Sequence, residues 1–211
     1  MKRIILGIML MAIMINGLFA QRQPIHWIGR NVPILNWVGL NGSISTCKLI
    51  RYGGKIDDGI KYYEQIGFLV GIKYLRIIND KFAIETGLDF SRNSFKYSYI
   101  NQMGLEEYSA DPENVDLFSI PVNLKVNFKK FSIKGGIQYD RSVSEFTSRI
   151  IDNQEGMGIN LGIGKDFYIS DGFIVFASPV IIFHNIIPFH TADDQQRLTE
   201  LGIKIDFKYG F

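Results

Sequence analysis

From Trp37 to the last residue the chain alternates apolar and polar side chains with a period of two, the pattern of strands whose faces meet different surroundings. The final stretch, LGIKIDFKYGF, shows it most clearly. Leu201, Ile203, Ile205, Phe207, Tyr209 and Phe211 fall on one face, and Gly202, Lys204, Asp206, Lys208 and Gly210 on the other. The same alternation predicts seven earlier strands. They cover Trp37 to Cys47, Tyr63 to Arg76, a strand opening with Phe82 to Phe90, Phe118 to Phe128, Phe131 to Asp140, Met157 to Gly164, and Phe173 to His184. The strand from Phe173 is apolar on both faces, so the pattern leaves its register open. No helix is required beyond the N-terminal segment.

The connections alternate between short and long. Asn79-Asp80-Lys81, Lys129-Lys130 and Ser170-Asp171-Gly172 are tight turns. Around Lys129-Lys130 the flanking Phe128 and Phe131 pair on one face, as a two-residue hairpin requires. Gly172 stands where a three-residue loop wants a left-handed backbone. The other connections, Lys48 to Tyr62, Arg92 to Asp116, Arg141 to Gly156 and Asn185 to Arg197, are long and polar. Eight strands with short turns at one end and long loops at the other make up an all-β, eight-stranded, antiparallel, up-and-down transmembrane β-barrel.

Period two does not say which face is wet, because a soluble ligand-binding barrel alternates in the same way. Volume decides. The apolar face carries roughly 35 large side chains, and an eight-stranded barrel has an interior only just wide enough to be filled. They fit a lipid-facing belt. The other face is rich in Gly and Ser, and its charges Lys73, Glu85, Asp89, Lys125, Lys134, Lys204 and Asp206 can pair across a crowded lumen, as buried charges must. Aromatic residues gather at both strand ends. Tyr74, Phe82, Phe128, Phe131, Phe173, Tyr209 and Phe211 stand near the short turns, and Phe90, Phe118 and Tyr139 near the other end, as in a double girdle. Pro121 is unwelcome inside a paired strand, which places it near the extracellular end or at a bulge. A soluble barrel would need Ile203, Ile205 and Phe207 to point inward. A narrow channel would need a lumen left open.

The chain has 211 residues, enough for one such domain after its start is set aside. Lys2 and Arg3, the apolar run Ile4 to Ile15, and a less apolar stretch ending at Ala20 form a secretory signal peptide, residues 1–20. Residues 21–36 form an irregular lead-in, and 37–211 the barrel. The formal charge of +2 comes from the signal; the mature chain is balanced and has no basic patch, so nucleic acid is not an expected partner. Cys47 is the only cysteine, which excludes an internal disulfide.

LFSIPVNLKVNF, FSIKGGIQY, GINLGIGKDFYIS and the aromatic final strand, together with the signal peptide, resemble the PorT-like outer-membrane β-barrel family of Bacteroidetes. The resemblance implies an outer-membrane location in a Gram-negative bacterium and insertion by the barrel-assembly machinery. Ile120-Pro121 fits the family's fourth strand. Most members have no assigned function, and one is linked to protein secretion.

The sequence holds no nucleotide-binding loop, nucleophile elbow or paired Cys/His set. His26 lies in the lead-in. His184 and His190, with Asp193, Asp194 and Ser178, could be arranged as a metal or acyl-transfer site, but no Ser stands near His184 at a useful spacing. A place in the girdle and loop is therefore the expected role of the two histidines. YSADPENVD is acidic without the spacing of a calcium loop. No catalytic, cofactor or metal residue is assigned, no cofactor is expected, and the chain is not expected to be an enzyme. The expected partners are outer-membrane lipids and lipopolysaccharide, and envelope or secretion proteins reached through the long loops. The competing reading is an enzyme that acylates or deacylates lipid A.

Overall fold

A computed structural model describes residues 35–52, 61–100, 105–108, 112–143, 153–170, 172–189 and 195–211. The signal peptide, nearly all of the lead-in and the histidines His26 and His190 lie outside these residues, as do Asp193 and Asp194. Among the described residues there are ten strand segments: β1 (Asn36–Tyr52), β2 (Lys61–Glu64), β3 (Ile66–Ile77), β4 (Phe82–Ile100), β5 (Glu106–Tyr108), β6 (Glu113–Asn127), β7 (Ser132–Ser142), β8 (Gly156–Ser170), β9 (Phe173–Pro188) and β10 (Gln195–Gly210). β2 and β3 both pair with β4 and form one stave interrupted at Gln65. β5 and β6 do the same on the other side of β4. The segments therefore make eight antiparallel staves.

The sheet closes on itself. The order β3-β1-β10-β9-β8-β7-β6 returns through β4, which pairs with both β3 and β6. β1 and β10 pair without a break from Trp37↔Gly210 to Tyr52↔Gln195. The Phe211 amide continues this seam by donating to the Asn36 carbonyl at 3.0 Å. Closure leaves no unpaired edge within the barrel wall, which is what permits strands to cross a membrane.

The predicted faces hold. Ile203, Ile205 and Phe207 point outward with exposures of 46, 38 and 48 %. They belong to an apolar belt with Leu40, Ile44, Val70, Ile72, Leu88, Val122, Leu124 and Leu161. The outward set excludes the soluble barrel, whose ligand face would have to be these same residues. The outward run from Phe118 to Phe128 rises about 33 Å along its strand and, at a tilt of about 40°, about 25 Å along the barrel axis, the height of a hydrocarbon belt. For β9, whose register the sequence left open, Ile174, Phe176, Val180, Ile182 and His184 turn inward.

The short turns behave as expected. The Phe128 amide donates to the Phe131 carbonyl at 2.8 Å, and the two rings stack with centroids 4.8 Å apart. Gly172 has φ +86°. The Asn79 side chain accepts from the Lys81 and Phe82 amides, both at 2.9 Å. The long connections are corrected: β1 runs on to Tyr52, β4 to Ile100 and β9 to Pro188, while β6 begins at Glu113 and β10 at Gln195. Polar residues there still alternate, and backbone pairing continues beyond the apolar belt that made the strands visible.

Pro121 is the second correction. It lies mid-strand, opposite Gln138 of β7, and the pairing of β4 with β6 keeps one register on both sides, Thr86↔Val122 and Asp89↔Ser119. There is no bulge at this site. The Thr86 hydroxyl donates to the Pro121 carbonyl at 2.9 Å, so a side chain occupies part of the gap in the ladder. A bulge occurs elsewhere, between Met157 and Ile159 of β8, opposite Asn185 of β9 with φ +51°.

Candidate functional site

The lumen is filled in layers, with apolar clusters toward both ends. Toward the short turns, Trp37, Leu75, Ala83 and Ile174 pack together; toward the other end, Cys47, Phe95, Val115, Leu117 and Leu198 do so. Between them lie charged residues turned inward on β3, β4, β6, β7, β8, β9 and β10. Small residues make room for them. A side chain at Gly71 would begin 2.1 Å from Asp89 Oδ1, and one at Gly136 would begin 2.0 Å from the Val122 carbonyl oxygen.

The lower charge network is built around two carboxylates. Lys134 Nζ lies 2.9 Å from both Glu85 Oε1 and Asp206 Oδ2, and Lys208 Nζ lies 2.6 Å from Glu85 Oε2 and 3.4 Å from Asp206 Oδ2. Lys125 bonds both oxygens of Asp166 at 2.6 Å. The Phe176 ring, fully buried, has three ammonium groups around it: Lys125 at 4.5 Å, Lys134 at 5.0 Å and Lys208 at 5.5 Å from its centroid. One layer higher, Asp89 accepts from Lys73 at 2.6 Å, Lys204 at 3.2 Å and Asn41 at 3.2 Å. All seven charges expected in the lumen are there. Lys208, Asp166 and the central Phe176 complete the set, and the sequence period places Lys208 on the same face as Lys204 and Asp206.

The upper network centres on His184. Its Nδ1 lies 2.9 Å from Asp140 Oδ2, and its Nε2 lies 2.9 Å from Glu200 Oε1. Ser119 and Gln138 donate to Asp140, while Asn93 and Ser45 donate to Glu200. Each imidazole nitrogen faces a carboxylate oxygen, so the geometry calls for a proton on both. The charge count agrees: between the end clusters the described residues present six carboxylates, five lysines and this histidine. The expected place of His184 in the girdle is therefore corrected; it is an interior residue, 1 % exposed. The expectation failed because β9 is apolar on both faces, and the bulge at Asn185 breaks the count from the loop side.

The reactive side chains of this upper network are held by protein partners. Both nitrogens of His184 are engaged, the Cys47 thiol donates to Asn93 Oδ1 at 2.7 Å, and Ser178 lies about 20 Å along the strand from His184 at the usual rise per residue. Among the described residues no group of three or more His, Cys, Asp or Glu is placed to hold a metal ion. Gln154, fully buried, donates to the Gln196 carbonyl and accepts from the Leu198 amide, giving β10 partners above the last β9 pair.

The outer surface has its own features above the belt. Phe90 and Phe118 pair with centroids 5.4 Å apart, and Tyr139 and Phe189 stack at 5.9 Å. Beyond them β2, β4 and β5 form a small ribbon. There Glu106 accepts from Ser98 at 2.8 Å, Tyr63 at 3.3 Å and Lys61 at 3.4 Å, and the rings of Tyr63 and Tyr108 approach to 5.7 Å. The Ser98 hydroxyl, with Lys61 adding its charge, holds the Glu106 carboxyl below the usual carboxylate range. Tyr99 donates to Glu107 at 2.7 Å, which raises its phenol.

No protein-family model matches the chain, and no curated protein matches it in sequence. Among solved structures it is similar to Neisserial surface protein A, with 13 % identity over 83 % of this chain and 97 % of that one and a TM-score of 0.46. It is also similar to the outer membrane protein AlkL, with 11 % identity over 92 % and 97 % and a TM-score of 0.45. A third likeness is the outer membrane protein OprG from Pseudomonas aeruginosa, with 13 % identity over 84 % and 96 % and a TM-score of 0.40.

Proposed function

We propose that this is an outer-membrane barrel of the PorT-like kind that works without catalysis, by presenting its extracellular end to envelope partners. An accessory role in protein secretion is the specific version of this reading. One observation carries it: the interior is occupied by paired charges and has apolar packing toward each end, so the chemistry-bearing side chains are spent on one another. A lumen of this kind supports neither a wide pore nor an accessible nucleophile. What remains for contact is the belt, which faces lipid, and the ribbon of β2, β4 and β5, with exposed Tyr63, Tyr99, Tyr108 and Lys61.

The test is photo-cross-linking in intact cells from Tyr63 and Tyr108, replaced one at a time by a photoreactive amino acid. A discrete protein adduct at these positions, absent when the probe replaces Leu124 in the belt, is the expected result. Adducts to lipid alone from every position would sink the partner-binding reading. The competing lipid A enzyme is tested by His184→Gln. An altered lipid A profile with the barrel intact would favour catalysis, and an unchanged profile would remove its best candidate residue.

A further inference from the structure

We infer that the outward surface of β4, β6 and β7 just above the belt seats a phosphate of lipid A, the phosphorylated glycolipid of the outer leaflet. This rests on the outer-membrane reading and names one lipid contact within it. Along β4 the outward residues are Phe82, Ile84, Thr86, Leu88 and Phe90, and the next is Arg92. Along β6 they run from Phe128 up to Phe118, and the next is Asp116. Arg92 and Asp116 are paired across the two strands, directly above the Phe90–Phe118 contact. Apolar side chains give way to charge within one step, at the depth where acyl chains give way to headgroups.

The Arg92–Asp116 contact is bidentate, with Nε to Oδ1 at 2.8 Å and Nη2 to Oδ2 at 2.7 Å. It holds the guanidinium in one orientation and uses one edge of it. The rest of the group stays open, since the Arg92 side chain is 46 % exposed. Arg141 on β7 stands opposite Phe118, on the same outward face and diagonal to Asp116. It is exposed and has no ion-pair partner among the described residues. Lys96, outward and exposed, stands further up β4. Three cations, against Asp116 and the Glu155 carboxylate that accepts from the Tyr139 hydroxyl at 3.3 Å, thus overlook two aromatic pairs, Phe90–Phe118 and Tyr139–Phe189.

Guanidinium groups bind phosphate through paired N–H donors, and a fixed fork loses less freedom in doing so. A lipid with acyl chains against Phe118 and Ile120 would bring its headgroup phosphate between Arg92 and Arg141. The short turns lie at the opposite end, so this rim faces the outer leaflet, where the phosphorylated lipid is lipid A rather than a phospholipid. An exposed contact of this kind weakens as salt rises.

The experiment uses the full barrel folded in detergent, with chelator present. Native mass spectrometry measures retention of bisphosphorylated lipid A, dephosphorylated lipid A and phosphatidylglycerol. Heat-modifiable migration on gels establishes that each variant is folded. Arg92→Gln with Arg141→Gln is expected to reduce retention of bisphosphorylated lipid A about tenfold, and Arg141→Gln alone, which leaves the Arg92–Asp116 pair intact, about threefold. Dephosphorylated lipid A should bind the wild type no better than the bisphosphorylated lipid binds the double variant. Lys129→Gln with Lys130→Gln, at the other end, should change nothing. Equal retention by wild type and a folded Arg141→Gln variant would overturn the assignment, as would equal retention of phosphatidylglycerol. Because folding is read separately, such a failure would leave the outer-membrane reading standing.

Discussion

Removing Lys134 tests whether the lower charge network stabilises the barrel as a unit. In Lys134→Met the side chain keeps most of its length and loses its ammonium group, which lies 2.9 Å from Glu85 and 2.9 Å from Asp206. Both carboxylates are fully buried, and Lys208 is then left to serve both, at 2.6 and 3.4 Å. Breaking a buried pair by deleting one partner costs about 3–5 kcal/mol, because the other charge stays desolvated. With a urea slope of about 2 kcal/mol per molar, the unfolding midpoint should fall by about 1.5–2.5 M. The assay is urea titration of the barrel in lipid vesicles, read by heat-modifiable migration on gels. Adding Asp206→Asn removes the carboxylate that Lys134 had balanced, and the double variant should regain at least half the loss, since residues in one network do not act additively. Two results would refute the reasoning. One is a Lys134→Met variant as stable as the wild type; the other is a double variant whose loss equals the sum of the single ones.

Three further outcomes are expected from the faces of the sheet. Gly71→Val should prevent folding or lower the urea midpoint sharply, because its Cβ would sit 2.1 Å from Asp89 Oδ1 and 2.5 Å from the Leu88 carbonyl oxygen, whereas Gly42→Val, whose nearest atom is 3.7 Å away, should leave folding yield unchanged. Ile203→Arg places a charge in the lipid belt and should cost about 2–4 kcal/mol in vesicle refolding equilibria, while Tyr209→Arg near the interface should cost about 0–1 kcal/mol. Glu106 is held below its ordinary 4.5 by Ser98 and Lys61, so its contacts are fully present above that pH and are lost as pH falls through the lowered value. Protection factors of the β4 and β5 amides, which correct exchange for its intrinsic pH dependence, should therefore fall in that acidic window, and Glu106→Gln should abolish that fall.

The barrel was legible in the sequence because its two faces meet opposite surroundings at every step. Lipid on one side and a crowded lumen on the other demand alternation, and alternation at Leu201 to Phe211 or Phe118 to Phe128 survives any detail of register. The same logic locates the luminal charges without knowledge of their partners, since Lys73, Glu85, Asp89, Lys134, Lys204 and Asp206 all fall on the face that carries glycine. Above the belt the logic weakens. Arg92, Ser94 and Lys96 face outward while Ser91 and Asn93 turn into the lumen, and both surroundings accept polar side chains. The strand continues there by backbone pairing with β2 and β6, which no side-chain period records.

His184 shows where sequence reading fails for a physical reason. Its neighbours Ile181, Ile182, Phe183, Ile186 and Ile187 would suit either face, so nothing nearby says which way the imidazole points. Its partners come from β7 and from β10, at separations of 44 and 16 residues, and both pairings depend on the register of neighbouring strands, which the bulge at Asn185 shifts. Asp140 alternates cleanly with Tyr139 and falls on the inward face. Glu200 stands one step before the closing strand as the sequence delimits it, and continuing the period from Gly202 puts it on the luminal face. Two carboxylates turned inward near the same end of a narrow barrel need a cation between them. Among the described residues the lysines of the lumen all lie lower, bound to Glu85, Asp89, Asp166 and Asp206. The charge balance therefore points to His184 as the group that must turn inward, even where the hydrophobic pattern of its own strand is silent.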